Sequence, residues 1–381
     1  MKSNLKIGIE RIDEFIHLFE NKRVGLITNH TGMTDSFISS IDILKSKTDL
    51  RCLFAAEHGI RGEVGAGDHL SSYKDSETNL DVYSLYGESR RPSKEMMDQV
   101  DIICFDIQDV GARYYTYIYT MAYVMQACAE YNKEFIVFDR PNPLSNKAEG
   151  NILNLEYRSF VGYYPILQRH GLTVGELAKL FNEEYDINCD LKVIPMSGYN
   201  PNETMLESPR RWILPSPNIP TVETCFYYLI TCYFEGMNVS EGRGTAIPFK
   251  VFGAPWFKPK EVIKALKEFN FEGIDYKETY FIPYTSKHSK EVCAGVELFI
   301  TDFDKIDLVK LGLTICHVSL KLHDEIKVLP PYRDGGKNML DYLVGDDFIR
   351  LGSLSPNEIY EKLTRDTEQF KLIRRKYMLY G

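Results

Sequence analysis

Through the first half of the chain, short apolar runs end abruptly in polar or charged residues, and stretches of helical period separate them. VGLIT, from about Arg23, ends in Asn29-His30-Thr31-Gly32; a run at about 51–56 closes in FAA and meets Glu57 and His58 at once; DVYSLYG fills 81–87. VDIICFDIQDVG, 100–111, is the strongest run and ends in Asp106 and Asp109, and FIVFDRPNPL, 135–144, ends in Asp139 and Arg140 before a proline-stiffened turn. The pattern predicts helices at 36–47, 93–99, from about Ala112 to Tyr131 and at 173–185, with a further strand at 190–195. Runs too short for helices and apolar throughout are strands buried on both faces. Their alternation with helices implies right-handed βαβ units and an α/β fold, a Rossmann-like parallel sheet.

From Tyr199 to Pro220 the composition changes to YNPNETMLESPRRWILPSPNIP, whose five prolines forbid long regular elements. This stretch is either the passage between two domains or a rigid loop over the sheet, carrying Trp212, Ser216 and Asn218 as binding-type side chains. After a helix at Thr221–Phe234 the pattern is α+β, with helices at 259–269, 305–323 and from Pro356, and a strand at 294–301. The predicted division is therefore 1–227 and 228–381, which suits a length of 381 residues.

Composition narrows the function classes. With 44% hydrophobic and 26% charged residues, and no apolar run near the roughly 18 residues that span a bilayer, membrane insertion is not expected. A net charge of −9 without a basic stripe argues against a nucleic-acid partner. The start, MKSNLKIGIERIDEF, has no apolar leader, so the expected location is cytoplasmic, or exported if a leader has been removed. Eight cysteines lie mostly inside apolar runs with no C-x-x-C pair, as buried thiols would.

In an open α/β sheet, ligands bind beyond the carboxyl ends of the strands, where Asn29, His30, Glu57, His58, Asp106, Asp109, Asp139 and Arg140 all fall. A second group, Asn238, Ser240, Glu241, Arg243 and Thr245, surrounds two glycines in MNVSEGRGTAIPF, 237–249, and suggests another wall of the same site. The glycines after His58 read G-x-x-G-x-G from Gly62 to Gly67, the reverse of the dinucleotide fingerprint, and neither a P-loop nor G-x-S-x-G occurs. Glu57, His58 and Asp106 or Asp109 could ligate a divalent metal, but no H-x-H or H-E-x-x-H spacing supports it; no metal and no cofactor are predicted. Carboxylates in a crevice without those motifs point to general acid/base work, for which glycoside hydrolysis is the largest class. Each acid also has an ordinary reading: Glu57 paired with Arg61, Asp109 as a helix cap, Asp139 bridged to Arg140, Glu241 on a hairpin surface.

Six motifs, EHGIRGEVGAG, VYSLYG, DIQDVGARYYTYIYTM, DRPNPL, LPSPNIPT and NVSEGRGT, resemble in the same order the signatures of the NamZ-type exo-β-N-acetylmuramidases, long catalogued as a bacterial domain of unknown function. The resemblance runs from about Lys6 to the C-terminus. It implies a Rossmann-like N-terminal domain, a smaller C-terminal domain and an active site in the cleft between them. It also implies release of N-acetylmuramic acid from the non-reducing ends of peptidoglycan fragments, without a cofactor and with Glu57, the glutamate of E-H-G, as the catalytic residue. On this reading Glu57 protonates the leaving oxygen, and the opposite carboxylate is Asp109, Asp139 or Glu241, in that order. Arg61, Arg113 or Arg243, with Arg243 first, holds the lactyl carboxylate, and Asn29, His30, His58, Asp106, Arg140, Asn218 and Asn238 complete the substrate site. The partner is a peptidoglycan-derived amino-sugar oligosaccharide or muropeptide. The competing class is a two-domain muropeptide or sugar binding protein that closes on its ligand without chemistry.

Overall fold

The computed structural model describes residues 5–62, 71–86, 90–332 and 335–381. The first part of the chain runs β1 (Arg23–Thr28), α1 (Ser40–Lys47), β2 (Asp49–Ala55), β3 (Tyr73–Lys74), β4 (Asp81–Ser84), α2 (Lys94–Met97), β5 (Ile102–Asp106), α3 (Tyr117–Glu130), β6 (Glu134–Phe138), α4 (Val174–Glu183) and β7 (Asp190–Ile194). These strands form one sheet in the order β3-β4-β2-β1-β5-β6-β7. Only the two-residue β3 runs antiparallel. The six parallel strands have the doubly wound Rossmann order, and the direction of winding reverses between β1 and β5.

Side chains alternate across the pleat, so neighbours on one strand serve two cores. Leu26 and Leu53 face a core closed by α1 and by a 3₁₀ helix at Gly8–Phe19, through Ile9, Ile12 and Phe19. Ile27 and Phe54 face the opposite core, closed by α3 and α4. Burial on both faces explains why these strands read as continuous apolar runs. The 3₁₀ helix, which buries Ile9, Ile12 and Phe19, is an element that the sequence pattern did not single out.

The second part contains α5 (Val222–Thr231), β8 (Val251–Ala254), α6 (Pro259–Lys267), β9 (Ile274–Phe281), β10 (Cys293–Ile300), α7 (Leu308–Leu322), α8 (Met339–Val344), α9 (Phe348–Leu351) and α10 (Pro356–Arg374). Its sheet is antiparallel, ordered β8-β10-β9, and packs with α5 and α7 into a third core. The predicted division after residue 227 falls inside α5. The proline-rich stretch leads into α5 and also lies across the carboxyl edge of the first sheet, where His30 Nε2 meets the Leu214 carbonyl at 2.7 Å and Arg211 Nη1 donates to the Asp35 carbonyl at 2.9 Å. Among the described residues no helix is long and apolar enough to cross a membrane.

The end of the chain returns to the first domain. A Ser355/Glu358 capping box starts α10, and Phe370 and Tyr377 bury in the core with α3 and α4. Tyr380 then donates to Asp139 Oδ2 at 2.6 Å, while Gly175 N and Arg140 N donate to Oδ1 and Thr173 Oγ1 to Oδ2. Asp139 is wholly buried with four donors on its two oxygens, so it fixes the start of α4 and the chain's end to the tip of β6. Tyr380→Phe removes one donor from a buried acid and is expected to lower stability by about 1–3 kcal/mol. Urea unfolding checks this; an unchanged midpoint would mean that the tail contributes by packing alone.

Candidate active site

At the reversal point, the carboxyl end of β5 presents Asp106, fully buried, to Arg140 just beyond β6. Arg140 holds it with Nε–Oδ1 at 2.5 Å and Nη2–Oδ2 at 2.9 Å, and Ser40, at the start of α1, also donates to Oδ2. Thr28 Oγ1 of β1 donates to the Asp106 carbonyl at 2.9 Å. Two residues read as substrate ligands thus form a bidentate ion pair that locks two strand ends and a helix together. Removing either partner would strand the other charge in the interior, at about 3–5 kcal/mol. Beside it Asn29 accepts from Thr31 N and Oγ1 at 2.9 and 2.6 Å.

Residues 107–116, expected to open a helix at Ala112, form an irregular loop, and α3 starts at Tyr117. Gly111 explains the difference. Its backbone is left-handed (φ 79°) and a Cβ there would lie 2.5 Å from Asn142 Oδ1, so the chain turns and directs the Gly111 N–H to Asp109 Oδ2 at 2.7 Å. Asp109 is buried, and Oδ1 has no hydrogen-bond partner among the described residues. Burial pushes its carboxyl up to about 7, against the pull of the Gly111 and Val110 N–H groups. The Nε2 of His170 stands 3.8 Å from Asp109 Oδ2. Because burial holds His170 down to about 3 and its Nδ1 accepts from Leu172 N at 3.2 Å, His170 is neutral and Asp109 has no cation beside it there.

Glu57 leaves β2 half-buried, followed by His58 and Gly59, both left-handed (φ 74° and 77°). A left-handed histidine is uncommon, and the sharp turn that requires it buries the imidazole. Thr116 Oγ1 donates to Glu57 Oε2 at 3.3 Å, and Tyr117 donates to the Glu57 carbonyl at 3.4 Å and to the Pro215 carbonyl at 2.8 Å. Burial, and then the Glu57 carboxylate facing it, raise the Tyr86 phenol above its ordinary range. Tyr115 and Tyr117 are raised chiefly by burial, with smaller contributions from both Glu57 and Asp109. The charges of the two carboxyls therefore reach the same pair of tyrosines. Gly62 is the last described residue of the glycine loop; Gly65 and Gly67 lie outside the described residues.

From Tyr117 a row of edge-on rings crosses to the second domain: Tyr117–Tyr115 at 5.0 Å, Tyr115–Tyr228 at 6.0 Å and Tyr228–Phe249 at 4.8 Å. Arg243 lies 5.0 Å over Phe249. Its Nη2 binds Glu235 at 2.6 Å and its Nε lies 3.3 Å from Glu241, while Lys287 Nζ is 2.7 Å from the other Glu241 oxygen. Glu241 is thus buried between two cations. Asn238 braces the segment behind it, accepting from Lys327 N at 2.7 Å and donating to the Glu325 carbonyl at 3.0 Å, and Asn218 lies half-buried on the proline-rich loop.

Of the predicted site residues, the structure gathers Glu57, Asp109, His30, His58 and Asn29 around the reversal point. It uses Asp106, Arg140 and Asp139 internally. Arg61 is held by Asp75 at 2.9 Å and Glu77 at 3.1 Å. Arg113 is sealed in the interior, donating to the carbonyls of Asn151, Ile166, Leu343 and Val344 at 2.8–3.1 Å. Tyr86, Tyr115, Tyr117, Tyr228 and His170 were not anticipated. The tyrosines of ARYYTY read as helix core, and His170 has no local signal. No three His, Cys, Asp or Glu residues gather to hold a metal ion among the described residues.

Carboxyls just beyond the strand ends near the reversal point, joined by aromatic rings to a second α+β domain, mark an α/β enzyme whose chemistry sits at strand ends. Residues 24–223 match the N-terminal domain, and 226–380 the C-terminal domain, of the family described as exo-beta-N-acetylmuramidase NamZ. The peptidoglycan beta-N-acetylmuramidase NamZ of Bacillus subtilis (strain 168) is 42% identical over 386 residues, covering 100% of this chain and 92% of that protein. Two DUF1343 family proteins of Bacteroides fragilis NCTC 9343, both known from crystal structures, are also similar. One has a TM-score of 0.91 at 35% identity over 100% of both chains; the other has a TM-score of 0.77 at 32% identity over 100% of this chain and 99% of its own. The chain belongs to the NamZ exo-beta-N-acetylmuramidase family.

Arg113 supplies a check on the division between structure and recognition. Arg113→Ala removes the guanidinium from four buried carbonyls, of which Val344 and Ile166 keep other donors, and is expected to cost about 3–5 kcal/mol of stability while leaving sugar preference unchanged in the folded fraction. Thermal unfolding and the ratio of kcat/KM on two sugars separate these effects; an altered ratio at unchanged Tm would give Arg113 a recognition role.

Proposed function

We propose that this protein is an exo-acting glycoside hydrolase that releases N-acetylmuramic acid from the non-reducing ends of peptidoglycan fragments, with Glu57 and Asp109 as its acting carboxyls. Family membership supports the reaction. The observation that carries the residue assignment is that one loop serves both carboxyls: Asp109 lies in it, buried with an oxygen that has no hydrogen-bond partner among the described residues, and Thr116 at its end donates to the half-buried Glu57. The eight cysteines, all reduced and buried, support action in the cytoplasm.

Two carboxyls divide acid and base roles according to their environments, and the one kept protonated near neutral pH is the proton donor. The apolar surroundings that push Asp109 up to about 7 suit it to that role. Glu57, at the cleft beside Thr116 and Tyr86, is then the carboxylate that faces the developing positive charge at the anomeric carbon. This exchanges the roles expected from the sequence, because the left-handed turn at Gly111 carries Asp109 into the interior. A sugar binding protein would have no turnover for these residues to control.

Asp109→Asn is expected to retain substantial turnover on a nitrophenyl muramic glycoside, whose leaving group needs no proton, and to lose about 10²–10⁴-fold on a disaccharide. Glu57→Gln is expected to fail on both. Since protonated Asp109 is the active form, kcat/KM should fall as pH rises through about 7, and Asp109→Asn should lack that limb. The reverse pattern, with rescue by the good leaving group in Glu57→Gln alone, would return the acid role to Glu57.

A further inference from the structure

We infer that Arg90, stacked on Phe160 beside Glu57, binds the lactyl carboxylate of N-acetylmuramic acid and so sets the preference for this sugar over N-acetylglucosamine. The inference rests on the proposed muramidase reading and names the group that reads its substrate. A half-buried aromatic shelf starts at Glu57: Tyr86 faces its carboxylate, the Tyr86 and Phe160 rings lie 6.3 Å apart, and Tyr123 stacks on Phe160 at 6.2 Å and 14°. The Arg90 guanidinium sits over Phe160 at 3.8 Å, and its charge reaches both the Tyr86 and Tyr123 phenols.

Two further observations single it out. In a chain of net charge −9, the cations expected to read the carboxylate are occupied: Arg61 by Asp75 and Glu77, Arg243 by Glu235 and Glu241, Arg113 by four carbonyls. Arg90, by contrast, has no acidic partner among the described residues, although Arg91 next to it bridges Glu130. A guanidinium stacked flat on a ring keeps its N–H edge in the plane, which suits two parallel hydrogen bonds to a carboxylate. With Tyr86 between Arg90 and Glu57, a sugar at the catalytic carboxylate has its anionic substituent near the stacked cation. N-acetylglucosamine has no such group.

The test measures binding as well as turnover. Titration calorimetry of wild type and Arg90→Ala with N-acetylmuramic acid, its lactyl methyl ester and N-acetylglucosamine should show wild type preferring the free acid by about ten- to a hundredfold. Arg90→Ala should bind all three alike at an unchanged Tm, and Arg90→Lys should recover part of the preference. Wild type that does not distinguish acid from ester, or Arg90→Ala that still does, overturns the inference. If the preference is lost in Arg90→Ala but wild type hydrolyses no muramic glycoside, the carboxylate assignment stands and the hydrolase reading falls. Should Arg90→Ala unfold, Arg90→Gln keeps the stacking stem without the charge and faces the same criteria.

Discussion

The ion pair between Asp106 and Arg140 is the interaction on which the site depends. It sits where the winding of the sheet reverses, a place at which two neighbouring strand ends diverge and leave a crevice. A crevice lined by backbone carbonyls and helix starts would close or fill with water unless something braced it. Here a bidentate pair, buried and joined by Ser40 and Thr28, ties the tips of β1, β5 and β6 to the start of α1. The brace uses up the charges that would otherwise have been the obvious ligands. It thereby leaves the next residues along, from Gln108 to Thr116, to shape the chemistry.

That loop is shaped by opposing demands. Arg113 is drawn into the interior by four carbonyls, two from the first part of the chain and two from α8, so the loop is fixed to both domains. Gly111 supplies the turn that makes this possible and leaves Asp109 facing apolar surroundings with a single firm donor. A neutral His170, rather than a cation, lies opposite. Burial favours a carboxyl that keeps its proton near neutrality at both Asp109 and Asp139, each pushed up to about 7, but the two Asp139 oxygens are taken by four donors, which makes it a structural clasp, whereas Asp109 Oδ1 has no partner among the described residues.

Between the domains, rings rather than charges make the contact. Tyr117, Tyr115, Tyr228 and Phe249 meet edge to face, a largely buried arrangement that ties the two parts of the chain together at fixed spacing. On the far side, Glu235, Glu241, Arg243 and Lys287 satisfy one another, so that the second domain presents a neutral, rigid wall. The return of α10 and Tyr380 to the first domain holds that wall in place through the chain's own end.

How much of this was legible in the sequence depends on the range of the forces involved. The strands, their parallel arrangement and the rim on which Asn29, Glu57, Asp106 and Asp109 lie follow from local hydrophobic period and chain handedness, and both are readable from consecutive residues. The motifs around Glu57 and Arg243 likewise carry the family. Which charge meets which is decided only in three dimensions. Asp106 finds Arg140 from 34 positions away and Arg113 finds Val344 from 231, and neither pairing leaves a periodic trace. Even the helix expected at Ala112 gives way, because the turn at Gly111 and the burial of Arg113 outweigh local propensity. Sequence alone determined the sheet and placed acids and arginines at its edge. Tertiary packing decided which of them are spent on holding the crevice open and which are left to act within it, because desolvating a charge is tolerable only where the fold supplies its partner.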